Sequence, residues 1–248
     1  MNRILSVGIV PSFFTMANMF CGFYSVILAT SQKFSQAAWL IVAAAVLDSL
    51  DGKLARMTKS SSEFGVQYDS LADVISFGLA PTVLLYTSTL FRWGSIGLFF
   101  SFLPLVFGSI RLARFNVRLE GTDKNYFEGL PIPAAAMALA TFVIFNFYFW
   151  ERLRWTKVFF VISITVSILM VTNFRYEVMP NFSLGGGRKN AIRMLLVLLC
   201  VVAIIAYPHE TFFPLVILYV VSGPAVVIWK MIQSDNKSDT ENMGDEQW

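Results

Sequence analysis

The sequence predicts an all-α polytopic membrane protein, a helical bundle of about eight transmembrane helices, and three observations carry that reading. The first is composition: 56% of the 248 residues are apolar and 14% are charged, where soluble proteins carry about 25% charged residues. Mean hydropathy is +0.63, and a soluble core of this size cannot hide that much apolar surface, so most of it faces lipid. The second is the recurrence of charge-poor stretches close to the roughly 20 residues that a membrane-crossing helix needs. The third is an uneven distribution of Lys and Arg over the loops. A soluble enzyme, a disordered chain and a nucleic-acid-binding module are excluded by the same numbers. The net charge of +3 is too small to indicate nucleic acid and is what basic inner loops of a membrane protein produce.

In chain order, residues 4–32 carry no charge, and Pro11 divides them into a short interfacial helix and a first span over 11–30. Met-Asn-Arg is a minimal n-region and the apolar run is too long for a cleaved signal, so the segment is read as retained. Further spans follow over 37–56, 66–90, 94–115, 130–150, 157–174, 190–207 and 211–230. Residues 1–232 thus form one integral membrane domain. Residues 233–248 are polar and acidic and read as a disordered cytoplasmic tail. With the N-terminus inside, the inner segments hold fourteen Lys and Arg and the outer ones five, Lys33, Arg92, Arg152, Arg154 and Lys157. This places both termini in the cytoplasm.

Of sixteen acidic residues, only Asp48, Asp51, Asp69 and Asp73 fall within the predicted spans. They sit at the inner ends of spans two and three, which a short loop makes antiparallel neighbours. At about 100° per residue, Asp48, Asp51, Gly52, Ala55 and Arg56 share one helix face, and Gly65, Asp69 and Asp73, four apart, share another. Two helices therefore present their carboxylates to a common space. Such a cluster in low dielectric must be neutralised by protons, a basic partner or cations, and oxygen ligands suit Mg²⁺, Mn²⁺ or Ca²⁺ over zinc. A buried ion network that only locks two helices together would leave charge unmatched, since the face carries one Arg against four acids.

The stretch Asp48-Ser-Leu-Asp51-Gly52-Lys-Leu-Ala55-Arg56, eight further residues, and Gly65-Val-Gln-Tyr-Asp69-Ser-Leu-Ala-Asp73 resembles the signature of the CDP-alcohol phosphotransferases. All eight fixed positions are matched. The resemblance implies a polytopic helical bundle, a homodimer, and a site for two divalent cations, Mg²⁺ or Mn²⁺, opening to the cytoplasm of the inner membrane. It also implies Asp48, Asp51, Asp69 and Asp73 as metal residues, with Asp73 the general base. Thr15, Asn18, Asp48, Gly52, Ala55, Arg56 and Gly65 would lie against CDP.

Three more stretches resemble the integral-membrane phosphatidylserine synthase branch, which uses CDP-diacylglycerol and L-serine. They are Pro11-Ser-Phe-Phe-Thr15-Met-Ala-Asn18-Met-Phe-Cys-Gly22, Arg111-Leu-Ala-Arg114-Phe115-Asn116 and Gly129-Leu-Pro131-Ile-Pro133-Ala. Ser12 stands where that branch commonly has Asn. Arg111, Arg114 and Asn116 are implied as serine-binding, and guanidinium forks do suit a planar carboxylate. They would equally suit the phosphate of glycerol 3-phosphate or an inositol derivative, and basic residues at an inner helix end also arise from topology alone. Thr15 and Asn18, one turn apart, fit hydrogen bonds to neighbouring helices as well as a nucleotide.

The remaining features weigh against other classes. Cys21 and Cys200 lie inside apolar runs and imply no disulfide framework. The single histidine, His209, excludes a phosphohistidine route needing two, and reads as an outer loop residue. Gly185-Gly-Gly-Arg188-Lys189 lacks phosphate-loop spacing and reads as a flexible loop. A cation transporter would also place acids between helices, but the outer halves of spans two and three hold no ionisable path.

Overall fold

The computed structural model describes residues 12–58, 63–118, 126–172, 174–177 and 187–245. The chain is helical nearly throughout: α1 Phe13–Thr30, α2 Phe34–Thr58, α3 Glu63–Asp73, a π-helical turn Val74–Leu79, α4 Ala80–Ser88, a 3₁₀ turn Leu90–Trp93, and α5 Gly94–Arg118. After these come β1 Tyr126–Glu128, α6 Ile132–Trp150, α7 Thr156–Val171, β2 Arg175–Glu177, α8 Gly187–Ala206 and α9 Pro208–Asp245. Seven of the eight predicted spans fall on one helix each, and the third, 66–90, runs through α3, the π turn and α4 to the start of the 3₁₀ turn. Five helical stretches among the described residues are long and apolar enough to cross a membrane. α7 and the apolar part of α8 are shorter, and α2 carries its carboxylates in its last turns. The interfacial helix expected before Pro11 lies outside the described residues.

α6 is the axis of the bundle: 61% of its apolar stretch is buried, against 11% for residues Pro208–Val227 of α9. Ile132, Leu139 and Ile144 of α6 pack with Ile41 of α2, Leu84 and Leu85 of α4, and Phe159 and Met170 of α7. Phe142 stacks on Phe159 with ring centroids 4.9 Å apart. Large side chains such as Phe20, Phe99, Leu198 and Leu218 are exposed, as a lipid-facing surface requires.

Small and hydroxylic residues set the close contacts. Ser25 of α1 donates to the Ala37 carbonyl at 2.8 Å, tying α1 to α2. At Gly22 a Cβ would lie 2.6 Å from the Ser76 Cα, so only glycine lets α1 touch the backbone of the π turn. That turn sits between Asp73 and Pro81, whose ring supplies no N–H to an α-helical ladder; the wider turn absorbs the irregularity.

Four local features differ from the sequence reading. The fold is all-α apart from a small antiparallel ribbon, Phe127 opposite Tyr176, because the α5–α6 and α7–α8 connections emerge at the same end of the bundle. Gly129, at φ +78°, turns the chain there and donates to the Phe174 carbonyl at 2.9 Å. His209 is not in a loop but in the first turn of α9, stacked on Tyr148 at 4.8 Å and edge-on to Trp39 at 5.4 Å. α9 runs to Asp245, through the polar stretch expected to be a disordered tail. Gly187, Arg188 and Lys189 open α8, and the rest of that glycine run lies outside the described residues.

Candidate active site

The polar residues at the start of α1 and its cap recur along one stripe and meet α2, α3 and the π turn. Ser12 caps α1, accepting from the Phe14 N–H at 3.1 Å, as an N-cap hydroxyl does. Its own hydroxyl donates to Asp51 Oδ1 at 2.5 Å. Thr15, buried one turn on, donates to the other oxygen, Oδ2, of the same carboxylate. Asn18, fully buried, donates from Nδ2 to Asp73 Oδ1 at 3.3 Å. Ser76, also fully buried, donates to the Asn18 carbonyl at 2.9 Å.

Asp48, Asp69 and Asp73 form the centre. One carboxylate oxygen from each lies within 4.8 Å of the others; Asp73 is buried and the other two half-buried. Three carboxylates this close repel unless positive charge lies among them. Asp69 Oδ1 is buried and has no hydrogen-bond partner among the described residues, an acceptor whose desolvation a cation would offset. The set is all carboxylate oxygen, the chemistry of a hard divalent cation, so the residues fit a metal of that class. Asp51 stands beside this trio, within electrostatic range of Asp48 and Asp69, with both its oxygens taken by the α1 hydroxyls. The four predicted acids thus divide into a cluster of three and a neighbour held by α1.

Arg111 is buried on α5 and lies within electrostatic range of Asp73 and of Tyr219 from α9. Arg114 is exposed and its guanidinium donates to the Val171 carbonyl at the end of α7, 3.3 Å away. Asn116 donates to Ser70 Oγ at 3.0 Å and to Gln67 Oε1 at 3.3 Å, binding α5 to a different face of α3. The expected serine-binding set is therefore spread over different partners: Asn116 lies about 140° around α5 from Arg111, Arg114 is engaged with Val171, and among the described side chains Arg111 is the guanidinium in electrostatic range of Asp73. Gly52 is exposed, and a Cβ there would meet nothing within 4 Å, leaving the backbone of α2 open beside the carboxylates. Gly65 lies on α3 as expected. Ala55 and Arg56 continue along α2, and their side chains lie outside the described residues.

Ser76 and Tyr219 were not legible as site residues. Ser76, three residues past Asp73, is displaced by the π turn from the position that simple periodicity gives it. Tyr219 comes from the last helix, remote in sequence. Ser12 did have a signal, as a hydroxyl directly before the helix and one turn before Thr15.

The CDP-alcohol phosphatidyltransferase family model matches residues 8–169, which takes in α1 through α7 and every carboxylate of the site. A Helicobacter pylori protein named CDP-diacylglycerol–serine O-phosphatidyltransferase is 38% identical over 234 residues, 92% of this chain and 96% of its own length. A Methanocaldococcus jannaschii protein of the same name is 32% identical, over 95% of this chain and all of its own. The archaetidylserine synthase of Methanothermobacter thermautotrophicus is 38% identical over 70% of this chain and 72% of its own. With the family model covering well over half the chain and the carboxylates of the signature gathered at one site, the protein belongs to the CDP-alcohol phosphatidyltransferase family.

Proposed function

We propose that this protein transfers the phosphatidyl group of CDP-diacylglycerol to the hydroxyl of L-serine, giving phosphatidylserine and CMP. The observation that carries the reading is the trio Asp48, Asp69 and Asp73 with the Arg111 guanidinium beside it. It joins a place for a hard cation, a carboxylate able to take a proton, and a fork suited to an amino-acid carboxylate. The names of the relatives, each for serine transfer or a serine lipid, favour serine over glycerol 3-phosphate or an inositol derivative as acceptor.

Asp48 and Asp69, with Asp51 alongside, would hold the two divalent cations, Mg²⁺ or Mn²⁺, and bound metal there would supply charge stabilisation for the pyrophosphate oxygens and for departing CMP. Thr15, through Asp51, and the open backbone at Gly52 shape the nucleotide side, with Ala55, Arg56 and Gly65 continuing it. On the acceptor side Asp73 takes the proton of the serine hydroxyl as that oxygen attacks the phosphorus bearing the lipid. The bond from that phosphorus to the bridging oxygen breaks, and the electron pair leaves with CMP. Arg111 orients the serine carboxylate, and the bundle around Asp73 keeps water from competing.

The same reading sets the active site at the cytoplasmic face of the inner membrane, with both termini on that side, in a homodimer. The test is direct. Purified protein is given CDP-diacylglycerol with L-serine, glycerol 3-phosphate or inositol phosphate, with and without Mg²⁺ or Mn²⁺, and CMP release and the lipid product are followed. Metal-dependent phosphatidylserine formation is expected; turnover confined to a phosphorylated acceptor would overturn the choice of serine.

A further inference from the structure

Asn18 is fully buried, and its amide is only half used. A carboxylate can only accept, so the group facing Asp73 is the Asn18 NH₂. That leaves Oδ1 as a buried acceptor, and it has no hydrogen-bond partner among the described residues. An unmatched buried acceptor costs about 1–3 kcal/mol, and this one is held in place on two sides. Ser76 fixes the Asn18 backbone, and Gly22 allows the backbone approach that brings Ser76 there. The side chain is thus braced with an acceptor left over, the condition expected of a group kept for a ligand donor.

The chemistry of the acceptor says which donor. In L-serine the hydroxyl, ammonium and carboxylate are separated by at most three bonds, so whatever binds the two charged groups must lie within one side chain of the base. Among the described residues around Asp73 there is one guanidinium in electrostatic range, Arg111, and one unmatched neutral acceptor, Asn18 Oδ1. That pair is complementary to a carboxylate and an ammonium. A phosphorylated alcohol has no ammonium and would leave the Asn18 oxygen unsatisfied. Asn18 is also set apart from the nucleotide side of α1: Ser12 and Thr15 attend Asp51, whereas Asn18 attends Asp73.

Resting on the serine reading above, we infer that Asn18 is a specificity residue for the acceptor and not a nucleotide contact, with Oδ1 accepting a hydrogen bond from the serine ammonium. Discrimination then comes from a pair of opposite recognitions flanking the base, and an alcohol lacking the amino group forfeits one of them.

The test compares KM values in the full-length protein with its metal. Asn18→Ala should raise the KM for L-serine about tenfold or more, the scale of a lost hydrogen bond to a charged group. The KM for CDP-diacylglycerol should move less than about twofold, and the kcat/KM preference for L-serine over 3-hydroxypropionate, which lacks the ammonium, should fall by the same factor as serine affinity. Asn18→Ser, retaining a small acceptor, should recover part of the serine affinity. A melting curve reports that each variant is folded, and calorimetry measures its CDP binding. An equal or larger rise in the CDP-diacylglycerol KM, or loss of CDP binding in both variants, overturns the assignment. Failure of the underlying reading looks different: the unsubstituted protein would itself release no CMP with L-serine.

Discussion

Two corners of the acidic site rest on the same helix and are built from different chemistry. At the Asp51 corner α1 presents hydroxyls, and Ser12 and Thr15 each donate to one carboxylate oxygen. At the Asp73 corner α1 presents an amide on Oδ1, α5 brings a guanidinium into range, and Asp48 and Asp69 close the third side. A carboxylate held through both oxygens is fixed in orientation and suited to shaping a site. One held through a single neutral donor, buried and faced by other charges, is suited to exchanging a proton. The difference teaches that four aspartates equivalent by spacing are not equivalent by environment.

The largest expected effect acts on both corners together. Stripping divalent cations with excess chelator should abolish CMP release, and Mg²⁺ or Mn²⁺ should restore it. Undiminished turnover in chelator would remove the reason for the carboxylate cluster and the comparison with it.

Next in size is the contrast within the trio. Asp73→Asn keeps the volume and can still accept a hydrogen bond, but cannot take up the serine proton, so kcat should fall by about 10²–10⁴ with metal affinity largely kept. Asp69→Asn, replacing the residue whose Oδ1 is buried without a partner, should instead weaken metal binding, because an amide is a poorer ligand for a hard cation. Calorimetric metal titration of both variants decides. Equal loss of metal would make Asp73 a ligand and leave the proton to another acceptor.

How much of this was legible in the sequence follows from what periodicity encodes. Spacing puts Asp48 and Asp51 on one face of a helix and Asp69 and Asp73 on one face of the next, and a short loop makes those helices neighbours, so the meeting of carboxylates was readable. Which residues of a third helix would press on them was not, because that depends on how α1 packs. The partition of Asp51 to Ser12 and Thr15 and of Asp73 to Asn18 is therefore a tertiary fact. The π turn hid Ser76 because it breaks the period by which faces are assigned. In the Arg111 to Asn116 stretch, Asn116 lies about 140° around the helix from Arg111, whereas Arg114 shares the face of Arg111 and differs from it only in its partner, the Val171 carbonyl, which spacing does not encode.

A smaller effect tests the Asp51 corner. Thr15→Val conserves shape and removes one donor, leaving Asp51 the hydrogen bond from Ser12. The expected loss is that of one neutral-to-charged hydrogen bond, about 1.5 kcal/mol or roughly tenfold, and it should fall on the KM for CDP-diacylglycerol with the serine KM nearly unchanged. A serine-specific defect would merge the two corners into one.

The smallest effect is expected at Arg114, and it bounds the Asp73 corner. Arg111 and Arg114 look alike in sequence, two guanidinium groups one turn apart near the end of α5, and either could grip a carboxylate. Their surroundings separate them. Arg111 is buried beside Asp73, so truncating it to Ala removes a desolvated partner of the substrate carboxylate and should raise the serine KM about ten- to hundredfold. Arg114 is exposed, and its guanidinium is engaged with the Val171 carbonyl at 3.3 Å, where it ties α5 to the end of α7. Removing an exposed hydrogen bond of this kind is worth about 1 kcal/mol or less to the fold and withdraws nothing from the carboxylates. Arg114→Ala should therefore leave the serine KM within about twofold and lower the thermal midpoint slightly. Steady-state kinetics and a melting curve on the same preparation check both halves. A serine KM that rises as steeply for Arg114→Ala as for Arg111→Ala would show that this side chain leaves Val171 when the acceptor binds, and that the Asp73 corner extends to the end of α7.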